Sequence, residues 1–258
     1  MEHIVIENLR KVYLESVDGK QQKVEVLDSI NLKIKKGEFV TFFGPNGCGK
    51  TTLLNIIAGL LNFDEGTVEI NGKHPEESKI SFIFQNYRDS LLPWKKSIDN
   101  ISFPLELQRI PRKQRYERVR NFLDKLGLKL PDALYPYQIS GGQQQLLAII
   151  RALIYDPDVL LMDEPFGSLD YQTRIYMQNK ILDIWEKTKK TVLFVSHEID
   201  EAIYLADRIV LFSNKPTKII EILENTLPRP RNHSTLELQE FFILKTRALR
   251  VFKGVISQ

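Results

Sequence analysis

The sequence predicts an α/β fold: a parallel sheet flanked by helices, an antiparallel β layer ahead of it, and a helical insert in the middle. Three observations lead there. Apolar and polar residues alternate over 4–14 and 24–36. Apolar strand runs at 38–44, 158–163 and 191–197 are separated by helical patterns. Between about 88 and 155 the strand patterns vanish and helical spacing takes over.

Taken in order, IVIENLRKVYL (4–14) and VEVLDSINLKI (from 24) read as half-buried strands, joined by a turn in SVDGKQQ (16–22). EFVTFFG (38–44) is a buried strand running into a glycine-rich loop, which opens the helix KTTLLNIIAGL (50–60). TVEING (67–72) and KISFIFQ (79–85) read as a further strand pair. In the insert, PRKQRYERVRNFLDKLGL (111–128) has a proline at a helix start and Val119, Phe122, Leu123 and Leu126 at helical spacing. Its Arg112, Lys113, Arg115, Arg118 and Arg120 could suit an anionic partner, but a solvated helix face accounts for them. Strands return at 158–163, 191–197, 208–213 and 217–224, with helices at 168–189 and about 198–206. PRPR (228–231) breaks the pattern before a short amphipathic stretch near 235–252. One domain spanning 1–258 is expected, with a helical subdomain at about 88–155 and a tail from about 228 to 258.

Composition narrows the function. A chain of 258 residues can bury a sizeable core. A net charge of +3 is too mild to argue for nucleic acid, whose readers carry a clustered basic stripe. No apolar run reaches eighteen residues, so no membrane-crossing helix is expected. The opening MEHIVIENLRKVY lacks the apolar core of a secretory signal. A cytoplasmic protein is expected, touching a membrane only through a partner or a surface. The single cysteine, Cys48, allows no intramolecular disulfide.

GPNGCGKT (44–51) fits G-x-x-x-x-G-K-[ST] at every fixed position, between a predicted strand and a predicted helix. In the loop Gly44, Pro45, Asn46, Gly47, Cys48 and Gly49, the glycines would let backbone amides turn inward as an anion nest around phosphate oxygens. The helix that follows, with Thr51 and Thr52 in its first turn, points its positive end at the same anion. Lys50 would reach the β- and γ-phosphates and Thr51 would offer its hydroxyl to Mg²⁺. Cys48 reads as a small loop residue, with no His or second Cys close in sequence to activate it.

The strand DVLLMD (158–163) ends in Asp163, suited to the Mg²⁺ shell, followed by Glu164, placed to orient and polarise an attacking water. The turn GSLD (167–170), ending in Asp170, follows directly. Gln85, at the end of its strand, can sense Mg²⁺ and the water. His197, also at a strand end, can donate to a γ-phosphate. Tyr13, at the end of the first strand, offers a ring for a purine to stack on. Ser140, Gly141, Gly142 and Gln143 open a helix as a polar donor turn.

The order GPNGCGKTT, Gln85, ISGGQQQ, LLMDEPFGSLD and VSHEIDEA resembles the ATP-binding subunit of an ATP-binding-cassette (ABC) transporter over almost the whole chain. SLLPWKKSIDNISFPLEL (90–107), HEIDEAIYLADRIVLFS (197–213) and LPRPR (227–231) resemble the importer branch for nitrate, taurine and alkanesulfonates. Three positions depart from the usual pattern: Ile139 for leucine, Leu146 for a common arginine, and Ser168 for a frequent alanine.

The resemblance implies a P-loop NTPase fold with a RecA-like core sheet. It implies an ATP-hydrolysing motor for uptake of a small anionic or organic solute, using ATP and Mg²⁺. Two copies would sit head to tail about a twofold axis, and Ser140–Gln143 would face the γ-phosphate held by the opposite copy. Membrane-spanning permease subunits and, through them, a solute-binding protein would be the partners, with Leu91, Leu92 and Trp94 as an apolar socket. The chain would then lie peripherally on the inner face of the cell membrane. A soluble ABC ATPase acting on nucleic acid or ribosomes is the alternative, but that class commonly carries twin cassettes or long coiled-coil inserts, and this chain has neither. An exporter subunit would often be fused to its membrane segment. A non-enzymatic scaffold would not need Glu164 and His197.

Overall fold

The computed structural model describes residues 2–17 and 20–256, which form two compact units: residues 2–17 and 20–78 with 191–256, and residues 79–190. Asp18 and Gly19, in the turn expected at 16–22, lie outside the described residues.

In the first unit, β1 (Glu2–Val17) and β2 (Lys20–Lys35) are longer than their alternation suggested and pair antiparallel, Tyr13 opposite Val24. Bulges at Ile6/Leu9 and Leu9/Lys11 re-phase β1, so one face stays apolar although the chain does not alternate strictly. Behind this layer β3 (Phe39–Phe43) is buried at every position, as a strand covered on both faces must be. The loop after it leads into α1 (Lys50–Ile57), which stops three residues short of the expected end. β4 (Glu65–Ile70) adds to the other edge of β1, with Ile4 opposite Ile70.

The second unit begins with β5 (Ile80–Ile83). The expected pairing of 67–72 with 79–85 does not occur. β4 joins the antiparallel layer, whereas β5 runs parallel to β6 (Val159–Asp163), Ile80 opposite Val159. Apolar spacing shows that a strand is buried but not which strand it meets. Between β5 and β6 lie α2 (Tyr87–Ser90), α3 (Ser97–Leu107), α4 (Arg112–Leu126) and α5 (Gly141–Ile154). α6 (Tyr171–Thr188) follows β6.

Of the basic residues on α4, Arg115 is buried and reaches Glu106 at 2.7 Å, so a solvated face does not describe it. Arg120 pairs with Asp132 at 3.3 Å. Leu91 is also buried, and only Trp94 of the expected apolar socket is strongly exposed, at 71%.

The first unit resumes with β7 (Thr191–Ser196), α7 (Ile199–Leu205), β8 (Arg208–Phe212), β9 (Ile219–Glu224) and α8 (Gln239–Ile256). β3 lies between β7 and β8, parallel to both, and β9 runs antiparallel to β8. Phe42 packs edge-on against Phe212, and α8 lays Phe252 against Phe43. Among the described residues no helix is long and apolar enough to cross a membrane.

Candidate active site

The chemistry-bearing residues form two assemblies, one in each unit. In the first, residues 44–49 join β3 to α1. Gly49 adopts φ +122°, and a β-carbon there would come within 2.8 Å of Val26 Cγ1, so only glycine fits. Thr217, just ahead of β9, donates its hydroxyl to the Cys48 carbonyl and closes the loop from behind. Lys50 is buried, and its ammonium donates to the carbonyls of Gly44 at 2.9 Å and Pro45 at 2.8 Å. A buried cation bonded to neutral carbonyls is a centre of positive charge inside a ring of backbone, which is what a polyphosphate requires. Thr51 and Thr52 stand in the first turn of α1, Thr51 exposed, while Asn46 and Gly47 form the open rim. Burial raises the Cys48 thiol above its ordinary range, against the opposing pull of Lys50, so this cysteine is not an activated nucleophile.

His197 follows directly after β7. Because Ser196 pairs with Phe43, His197 and Gly44 leave neighbouring parallel strands at the same end. Tyr13 is not at the strand's end: β1 continues four residues to Val17. It lies on the strand pair that walls the phosphate loop, opposite Val24 and two residues along from Val26, with Lys11 Nζ 5.3 Å from its ring centroid.

In the second unit β6 delivers Asp163, buried, and then Glu164, whose φ of +46° is uncommon for a residue with a side chain. Strain of this kind persists only where the surroundings impose it. Gln85, two residues past β5, donates from Nε2 to Glu164 Oε2 at 3.1 Å. The parallel pairing of β5 and β6 thus brings two expected site residues from 79 positions apart into contact.

Ser140 caps α5. Its hydroxyl oxygen accepts from the Gln143 amide at 3.3 Å, while Gln143 Oε1 accepts from the Ser140 amide at 3.1 Å. Among the described residues, the amides of Gly141 and Gly142 meet no acceptor, as the first amides of a helix commonly do not. Gly142 sits in a tight place, since a β-carbon there would lie 2.8 Å from Thr173 Cγ2 and that methyl would have to give way. Leu146 is buried, so an apolar residue suits the place where arginine is common. Asp170 is engaged as the N-cap of α6, accepting from the Thr173 amide at 3.0 Å, and that bond lowers its pKa. Sequence reasoning missed Thr217, which lies 169 residues from the carbonyl it holds, and Tyr87, described below; nothing local marks either.

Residues 27–167, more than half the chain and including both the phosphate loop and Glu164, match the family model described as ABC transporter. The chain belongs to the ABC transporter family. It is similar to the aliphatic sulfonates import ATP-binding protein SsuB of Bacillus cereus, at 46% identity over 89% of each chain. It is also similar to the taurine import ATP-binding protein TauB of Escherichia coli O157:H7, at 44% identity over 77% of this chain and 78% of that one. Among solved structures it resembles a dimeric, post-hydrolysis state of the ATP-binding cassette MJ0796 bound to ADP and Pi, with a TM-score of 0.71, 32% identity, and coverage of 86% of this chain and 98% of the other. The ABC ATPase fold and an ATP-hydrolysing motor role follow for this chain.

Proposed function

We propose that this ABC ATPase drives uptake of a small sulfonate-like or other organic anion through separate permease subunits. The chain would act as one nucleotide-binding domain, with a helical subdomain at about 88–155 and a tail from about 228, seated peripherally on the inner face of the membrane. The similarity to SsuB and TauB supports the solute class, and a solute-binding protein would deliver the solute. Exposed Trp94 supports a docking place for a permease segment. Near it in sequence, a cavity of about 220 Å³ is lined by Phe82, Ile83, Ser90, Pro104 and Arg151.

The loop Gly44–Thr52 holds the triphosphate and Tyr13 stacks on the base. Thr51, Gln85 and Asp163 are hard oxygen donors of the kind Mg²⁺ takes, and Mg²⁺ when bound neutralises phosphate charge. Glu164 orients a water whose oxygen bonds to the γ-phosphorus as the bond to the β,γ-bridging oxygen breaks. The water's proton passes to the carboxylate, and ADP and phosphate leave. His197 donates to the γ-phosphate.

Ser140–Gln143 serves the nucleotide of a second copy, and Asp170 caps the helix whose Thr173 meets Gly142. The observation that carries this reading is the pair of acceptor-less amides at Gly141 and Gly142, beside a serine already locked as a cap. The dimeric state of the MJ0796 cassette supports it. Glu164→Gln tests the catalytic assignment. Turnover should fall about 100-fold or more, the scale of a lost general base, while ATP binding persists and a nucleotide-held dimer accumulates. Rapid hydrolysis by that variant would refute the role.

A further inference from the structure

We propose that Tyr87 is a positioning residue for ATP turnover, tying the segment that carries Gln85 to the Ser140–Gln143 turn. The inference rests on the reading that this turn serves a second copy. Tyr87 opens α2 and is 1% exposed. Its hydroxyl donates to the Gly141 carbonyl at 3.0 Å. A carbonyl has two lone pairs, so it can take this bond beside its helical one. The guanidinium of exposed Arg88 lies over the Tyr87 ring, 5.9 Å from its centroid. Two residues upstream, Gln85 is bonded to Glu164. Within three residues the chain therefore touches Glu164 and the second residue of the turn, Gly141.

The attachment is double. At the far end of α5, Arg151 donates from Nη1 to the Ser90 carbonyl at 2.6 Å and from Nη2 to the Ser90 hydroxyl at 2.8 Å. The ten residue steps from Gly141 to Arg151 span about 15 Å at the helical rise. The one-turn helix α2 is thus fastened to both ends of α5 by two long side chains. A shift of Gln85, when Glu164 or the metal shell changes, pulls on the Gly141 carbonyl through a path three residues long that ends on the buried Tyr87. The polar tip of Tyr87 sets how the turn is presented to the other copy, whereas its ring only fills space.

Tyr87→Phe keeps the ring and removes the hydroxyl. ATP binding by the lone copy should stay unchanged. Turnover should fall about tenfold at unchanged KM, and the ATP-held dimer formed in the Glu164→Gln background should weaken by a similar factor. A purely structural tyrosine would give losses independent of Gln85. A coupled one predicts that Tyr87→Phe adds little once Gln85→Ala is present. Wild-type turnover in Tyr87→Phe, or losses that multiply with those of Gln85→Ala, would overturn the proposal.

A second measurement needs no change at Tyr87. In the Glu164→Gln chain, ATP should slow amide exchange at 86–90 and at 140–144 together, and protection of one segment alone would also overturn it. Ser140→Arg run alongside separates the two ideas. If Ser140→Arg still pairs normally, the second-copy reading fails; if it blocks pairing while Tyr87→Phe matches wild type, only the role of Tyr87 fails.

Discussion

The phosphate loop and the Ser140–Gln143 turn are both glycine-rich polar loops that open a helix, yet they are held in opposite ways. The loop is fixed from within: Lys50 is buried against two carbonyls of its own loop, Thr217 closes it from behind, and Gly49 is wedged against Val26. The turn has Ser140 and Gln143 exposed, and it is held by a reciprocal cap, by Thr173 pressed on Gly142 and by the hydroxyl of Tyr87. The first arrangement can grip an anion unaided. The second presents donors that nothing in its own unit uses.

Lys50→Ala breaks the loop side and should have the largest effect. Removing a buried charge that a polyphosphate pairs with should weaken ATP binding by the lone copy on the order of 100-fold, as equilibrium binding of a fluorescent ATP analogue would show. Near-normal binding would mean that the loop is not the primary grip.

Gly142→Ala sharpens the turn side. Its methyl meets Thr173 Cγ2, and overpacking of this kind costs about 1–3 kcal/mol. ATP-driven pairing should fall roughly tenfold, with ATP binding by the lone copy intact. Thr173→Ser, which deletes the opposing methyl, should restore pairing in sedimentation runs. A defect that persists in the double variant would show that the β-carbon harms the turn in some other way.

Much of this was legible in the sequence because phosphate chemistry needs fixed residues at fixed local spacing. GPNGCGKT spells out its own loop, and Asp163–Glu164 could be placed because a fully apolar strand runs straight into them. What was not legible depends on residues far apart in the chain. Alternation could not tell that β4 and β5 belong to different sheets, nor that Tyr13 sits short of its strand's end. Leu91 looked like part of a socket because a loop leucine is read as exposed unless its packing partners are known. Tyr87 and Gly141 are 54 positions apart, and no periodicity joins them.

The central claim is that ATP turnover needs a second copy to supply the Ser140–Gln143 turn. Specific ATPase activity measured against chain concentration tests it most directly. Activity per chain should climb with concentration and fall toward zero on dilution below the pairing range, with ATP saturating throughout. Activity per chain that stays constant down to dilutions where sedimentation finds only single copies would contradict the account.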